Sequence, residues 1–229
     1  MNRIYAFIIT FIAGISTLIG VIPIYFKIKD KFILNVFKLS FLVLFIISLG
    51  ELLPDGFKLI LRYYDVFLAV LVTLLFFITG FLATKFIDNK IGEGSNLFYK
   101  VGIVSMIAMI IHNLLEGIIT YITATNDFKL GILISISIIF HNIPEGLLIA
   151  IPIYKSKNKR GLALLLTLLS GMSEFMGAIL SYLFLEHYIN DFILGIIYII
   201  TAGIMIYVAF VEILSIILKF DANKEKWHV

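Results

Sequence analysis

Seven long apolar stretches follow one another along the chain, and most of the charged residues fall in the short segments between them. The stretches cover about 4–26, 36–53, 64–87, 100–122, 130–153, 161–185 and 192–218, each near the ~20 residues that cross ~30 Å of hydrocarbon at 1.5 Å per residue. Within each stretch the apolar positions are continuous and do not alternate. Helices are therefore expected, not barrel strands. The pattern predicts an all-α fold: a polytopic transmembrane helix bundle with seven spans, forming a single domain over residues 1–229. Gly14, Gly20, Gly80, Gly102, Gly171, Gly177 and Gly203 fall inside the spans, where small residues let helices approach closely.

Composition agrees with this pattern. The 229 residues are 61% hydrophobic and 14% charged, whereas a soluble domain carries about 25% charged residues. Mean hydropathy is +1.08. A soluble fold could not cover so much apolar surface, and a lipid bilayer as the surrounding partner removes the need. The first stretch is too long, with the wrong flanks, for a cleaved signal peptide, so it is expected to be a retained span. The chain has no cysteine, which excludes disulfides and thiolate ligands and argues against a Cu(I) carrier. No basic stripe interleaved with aromatics points to nucleic acid.

Lysine and arginine set the expected orientation. Lys27, Lys29, Lys31 and Lys38 follow span one, Lys85, Lys90 and Lys100 flank the segment after span three, Lys155, Lys157, Lys159 and Arg160 follow span five, and Lys219, Lys224 and Lys226 lie in the tail. Of the 18 Lys and Arg, only Arg3, Lys58, Arg62 and Lys129 fall on the other side. The amino terminus is thus expected outside and the carboxyl terminus in the cytoplasm. The segment 88–99 is short, contains glycine and holds no histidine.

Ionisable residues at membrane depth cost about 2.5–3.5 kcal/mol each on insertion scales. Glu51, His112, Glu116, His141, Glu145, Glu174 and Glu212 all fall inside spans. Such a set either pins helices together as a polar network or serves an ion. The pattern favours an ion. Span four reads His112-Asn113-Leu114-Leu115-Glu116-Gly117, and span five reads His141-Asn142-Ile143-Pro144-Glu145-Gly146. Histidine and glutamate four residues apart share one helical face. Two such faces supply two imidazoles and two carboxylates, and Asn113 and Asn142 add amide oxygens beside them. That donor set suits Zn²⁺, Fe²⁺, Mn²⁺, Co²⁺ or Ni²⁺ better than Mg²⁺ or Ca²⁺.

Other polar positions extend the picture. Ser105 and Met109 precede His112 at helical spacing, and Ser137 precedes His141 by one turn. They either pack between helices or line a permeation path. Pro144 removes an N–H and frees the carbonyl of Phe140, so span five is expected to be interrupted there. Glu174, in Ser170-Gly171-Met172-Ser173-Glu174, could complete a second metal shell. Glu51 and Glu212 sit in related contexts near opposite faces, either as stations on the path or as carboxylates snorkelling to the interface.

Taken together, these motifs resemble the ZIP (ZRT/IRT-like) family of divalent metal transporters, bacterial type. The resemblance covers essentially the whole chain. It rests on the two H-N-x-x-E-G copies, on Ser48-Leu49-Gly50-Glu51-Leu52-Leu53-Pro54 in span two, and on Ser170-Gly171-Met172-Ser173-Glu174-Phe175-Met176-Gly177-Ala178 in span six. It implies a primary metal site of His112, Glu116, His141 and Glu145. It also implies an adjoining site of Asn113, Asn142 and Glu174 that shares the glutamates. It further implies a multi-pass protein of the cell inner membrane that moves zinc, or also iron, manganese or cadmium, into the cytoplasm, commonly as a homodimer. No bound cofactor beyond the transported ion is implied. Family members usually have eight spans, so the span that pairs with span three in their inverted repeat is expected to be missing here. Leu115 and Phe175 stand where proline is frequent, and Leu44 where methionine often contributes to the primary site.

Alternating access driven by gradients is the expected mechanism, since no nucleotide-binding loop is read in the sequence. The same His/Glu pairs could instead hold the metal of an intramembrane enzyme, or of a sensor that binds without transporting.

Overall fold

The computed structural model describes residues 2–91, 96–185 and 188–222. Seven helices among them are long and apolar enough to cross a membrane: α1 (Arg3–Tyr25), α2 (Asp30–Ile60), α3 (Val66–Lys90), α4 (Leu97–Asn126), α5 (Phe128–Lys157), α6 (Arg160–Phe184) and α7 (Asp191–Phe220). The protein is a multi-pass integral membrane protein, and the described residues contain no strand.

Local chemistry sets the helix starts. Asp65, Asn96, Asp127 and Asn190 each accept a hydrogen bond from a first-turn amide, at 3.1 Å from Leu68, 2.9 Å from Phe98, 3.1 Å from Leu130 and 3.0 Å from Ile193. Each is a side-chain oxygen satisfying an otherwise orphaned N–H. α5 ends at Asn158, which takes a left-handed conformation (φ 52°) and donates its N–H to Tyr154 at 2.7 Å.

Two boundaries differ from the apolar pattern. α2 begins before residue 36 and runs on past Pro54, because Lys31, Lys38 and Lys58 project from the helix without ending it. A widened π-helical turn at Ser48–Leu52 precedes Pro54, which then sits in the first turn of the continuing segment, where its missing N–H costs nothing. α5 is not interrupted at Pro144, because the helix continues through Pro144 and Pro152 to Lys157. The Pro144 carbonyl accepts a hydrogen bond from Ser40 Oγ at 3.3 Å, which ties α5 to α2. In the segment 88–99, Asp88 belongs to α3, and residues 92–95 lie outside the described residues.

The helices pack in two groups. α1, α4, α5 and α6 pack on one another, and α2 and α3 pack on α7. Glycine makes the close approaches. A side chain on Gly117 would strike the Glu174 carbonyl of α6, and one on Gly177 would strike the Leu114 carbonyl of α4. Gly14 and Gly171 oppose each other between α1 and α6, and Gly20 meets Gly146 and Leu147 between α1 and α5. In the other group Gly80 meets Ile200 and Gly203 meets Phe77. In a bilayer such contacts supply the dispersion that a hydrophobic effect cannot.

A polar cluster joins the groups at the lysine-rich end. Asp88 of α3 is buried, with Lys100 Nζ of α4 at 2.8 Å and the Tyr207 hydroxyl of α7 donating at 2.8 Å. Glu212 is 3% exposed and abuts Asp88. It is therefore not a carboxylate snorkelling to the interface.

Replacing Lys100 with Met should lower stability by about 1–3 kcal/mol, because a buried carboxylate loses its cation. Thermal unfolding in detergent would measure it. A midpoint unchanged from wild type would show that the pair holds nothing.

Candidate metal site

The facing turns of α4 and α5 carry the two His/Glu pairs. Their spacing of four residues places each imidazole and carboxylate on one face, and the packing of the two helices turns those faces together. His112 Nε2 lies 3.2 Å from Glu116 Oε1 and 3.3 Å from Glu145 Oε1. His141 Nε2 lies 3.1 Å and 3.2 Å from the two oxygens of Glu116. The ring centroids are 6.1 Å apart. One carboxylate, Glu116, thus stands between both imidazoles. His112 and Glu145 are fully buried, and Glu116 and His141 are each 5% exposed.

Most of these contacts are close without being aligned as hydrogen bonds. His112 Nε2 and both Glu145 oxygens are buried without a hydrogen-bond partner, although they lie within ion-pair distance of each other. Donors aimed at a common point, and not at each other, have this geometry. Donors held 2.0–2.2 Å from a tetrahedral zinc lie about 3.4 Å apart. The nitrogen–oxygen separations here fall close to that, and one donor atom each from His112, His141 and Glu145 all lie within 4.8 Å of one another.

The three adjoining residues are also brought near. Asn142 Nδ2 donates to Glu174 Oε2 at 3.0 Å and to the Ala13 carbonyl at 2.9 Å, linking α5 to α6 and α1. Asn113 Nδ2 donates to the Ser170 carbonyl at 3.1 Å. These bonds occupy the amide nitrogens and leave Asn113 Oδ1, Asn142 Oδ1 and Glu174 Oε1 buried without a hydrogen-bond partner. Glu174 lies near enough to Glu116 and Glu145 to interact with both charges. The seven residues of the expected primary and adjoining sites, His112, Asn113, Glu116, His141, Asn142, Glu145 and Glu174, therefore gather where α1, α4, α5 and α6 meet.

A cavity of about 340 Å³ reaches the site from the end where α4 passes into α5. His141 and Glu116 form its floor, and Thr123, Leu130 and Ser137 lie along α4 and α5. Glu51 and Asp55 of α2, with Tyr198 of α7, form the opposite wall. Glu51 therefore faces the path to the site. Asp55 was missed in the sequence because it follows Pro54 at what reads as the end of a span, although it stands four residues from Glu51. Ser137 lines the cavity as a polar stripe would require. Ser105 and Met109 do not line it. They are buried on the lysine-rich side, where Met109 packs in one apolar cluster with Leu44, Leu148 and Val208. Beside Pro144, Phe140 and His141 border a smaller cavity of about 220 Å³ against α2.

Comparison with known proteins identifies the family of the chain. The family model described as ZIP Zinc transporter matches residues 92–228. A protein named zinc transporter ZupT from Oceanobacillus iheyensis is 34% identical, over 96% of this chain and 90% of its own length. The protein of the same name from Streptococcus mutans is 33% identical, over 91% of this chain and 86% of its own. The one from Lysinibacillus sphaericus is 33% identical over 96% and 90%. A membrane bundle with paired His/Glu helices, matched by the family model over more than half its length and by relatives over nearly all of it, belongs to the ZIP family.

Proposed function

We propose that this protein carries divalent transition-metal ions, zinc first and iron, manganese or cadmium as further candidates, across the membrane into the cytoplasm. The observation behind this reading is the convergence of His112, Glu116, His141 and Glu145 in one buried cluster, of which Glu116 and His141 form the floor of a cavity. Those four residues are the primary site, with Asn113, Asn142 and Glu174 beside it. The relatives named zinc transporters support zinc as cargo. Nothing in the arrangement calls for a resident cofactor, and the metal is the substrate. The outward apolar row of α3, including Phe67, Leu71 and Leu75, offers a face for a second copy in a homodimer.

Ion entry follows from charge. Glu51 and Asp55 present two carboxylates at the cavity wall, and the floor adds Glu116. A wall of one sign within low-dielectric surroundings concentrates cations. At the floor the ion exchanges water for imidazole and carboxylate. The α1, α4, α5 and α6 group then presents it to the other face. Inward movement of a divalent ion releases about 4.6 kcal/mol per 100 mV of inside-negative potential, twice the single-charge value.

Proteoliposomes loaded with a metal-sensitive dye test the site. Zn²⁺ uptake should be abolished in His141→Ala and Glu145→Ala, with affinity reduced by more than the 10–100-fold typical of losing an outer-shell partner. Wild-type signals from both variants would remove the site. Metal binding without any flux in sealed wild-type vesicles would favour a sensor instead.

Acid should slow uptake, because His112 and His141 bind metal only when neutral and protons compete for the same nitrogens. Initial rates between pH 7.5 and 5.5 would check the sign, and a steady rise would refute the ligand assignment.

The double change Glu51→Gln with Asp55→Asn should raise KM on the order of 3–10-fold at low ionic strength while leaving equilibrium zinc affinity near wild type. Equal KM values would exclude these carboxylates from the path.

A further inference from the structure

A second cavity, of about 550 Å³, lies away from the metal site, at the turn between α1 and α2. Its rim carries Lys27, Lys29 and Lys31, and its walls include Ile22, Phe26 and Phe32. The three lysines are solvent-exposed, and none forms an ion pair with a described residue. The one carboxylate in this turn, Asp30, is already engaged by Lys155 Nζ at 3.1 Å. The apolar wall is open as well, with Ile22 55%, Phe26 70% and Phe32 43% exposed.

Each half of this site favours a different part of one ligand. Three uncompensated ammonium groups at a helix end select an anion at headgroup depth. The apolar wall continues along α1 toward the hydrocarbon through exposed Ile19 and Ile15, and so suits an acyl chain. A free phosphate would use the lysines and leave the wall in water. A neutral lipid would use the wall and leave the lysines unmatched. We infer that this cavity binds an anionic phospholipid, its phosphodiester held by Lys27, Lys29 and Lys31 and its chains laid against Ile22, Phe26 and Phe32. Basic clusters just beyond a span attract anionic headgroups by this physics.

The position gives such a lipid a second consequence. α1 belongs to the helix group that carries the His/Glu site, and α2 packs mainly with α7 in the other group. The cavity lies at the covalent joint between them. A lipid held there braces that joint without touching the metal site.

Native mass spectrometry of the delipidated full-length protein, titrated with phosphatidylglycerol or phosphatidylcholine, tests the inference. Wild type should retain at least one phosphatidylglycerol in preference to phosphatidylcholine. The triple Lys→Gln variant at 27, 29 and 31 should bind it about 10²-fold more weakly, and the triple Lys→Arg variant should retain it. Single Lys→Gln changes should each lose about 5-fold, a readout that survives if the triple variant does not fold. Equal phosphatidylglycerol binding by wild type and the Gln variants would overturn the site. So would equal binding of the neutral lipid, or displacement of phosphatidylglycerol by millimolar inorganic phosphate. None of these outcomes depends on metal transport, so failure here and failure of the metal site are read separately.

Discussion

Two carboxylates and two imidazoles share one small volume at membrane depth, and the balance of charge there constrains the rest of the fold. Glu116 is shared between His112 and His141, and Glu145 faces His112. With neutral imidazoles the two carboxylates carry two negative charges in surroundings that tolerate none unpaired. A divalent cation cancels both. Protons on the two rings would cancel the same pair, so metal and protons are alternative answers to one electrostatic demand. Glycine at the α4–α6 and α1–α6 contacts then serves the site directly. By drawing backbones together it brings Asn142 and Glu174 alongside, and lets backbone carbonyls of α1 and α6 take up the amide hydrogens of Asn142 and Asn113.

Much of this was legible in the sequence because it is local. Long apolar runs define spans whatever their neighbours, and the seven observed helices follow the seven runs. A His and a Glu four residues apart must share a face, and two copies on adjacent spans can meet. The glycines named in the spans do mark close contacts. What escaped is non-local or depends on backbone geometry. Lys100 reads as one of the charges that orient the chain, yet it pairs with Asp88 of α3, and the Tyr207 partner lies over a hundred residues away. Pro144 suggests a break, but a single missing N–H in a helix packed on several sides does not end it.

Glu51 and Glu212 show the limit most clearly. Their sequence surroundings are related, and both fall in widened π-helical turns, at Ser48–Leu52 and Val208–Ile213. Their fates differ because their neighbours do. Glu51 meets the space between α2 and α4–α5 and lines the cavity. Glu212 meets Asp88 and is sealed. No local rule separates the two, since only the packing of α7 against α3 and α4 decides which glutamate sees the path.

The same packing explains why the structure is open at one end. The seal on the lysine-rich side is assembled across the two helix groups: Met109 of α4 and Leu148 of α5 from one, Leu44 of α2 and Val208 of α7 from the other. Apolar contacts of this kind are non-directional, so a sliding of one group past the other can exchange them without leaving polar groups stranded. The Asp88–Lys100–Tyr207 cluster spans the same boundary and is directional. An opening at the lysine-rich end must therefore part Lys100 from Asp88, or carry that pair along with α4. The Asp30–Lys155 ion pair joins α2 to α5 at the same end, so these two directional contacts, more than the apolar ones, set how firmly that end is held closed.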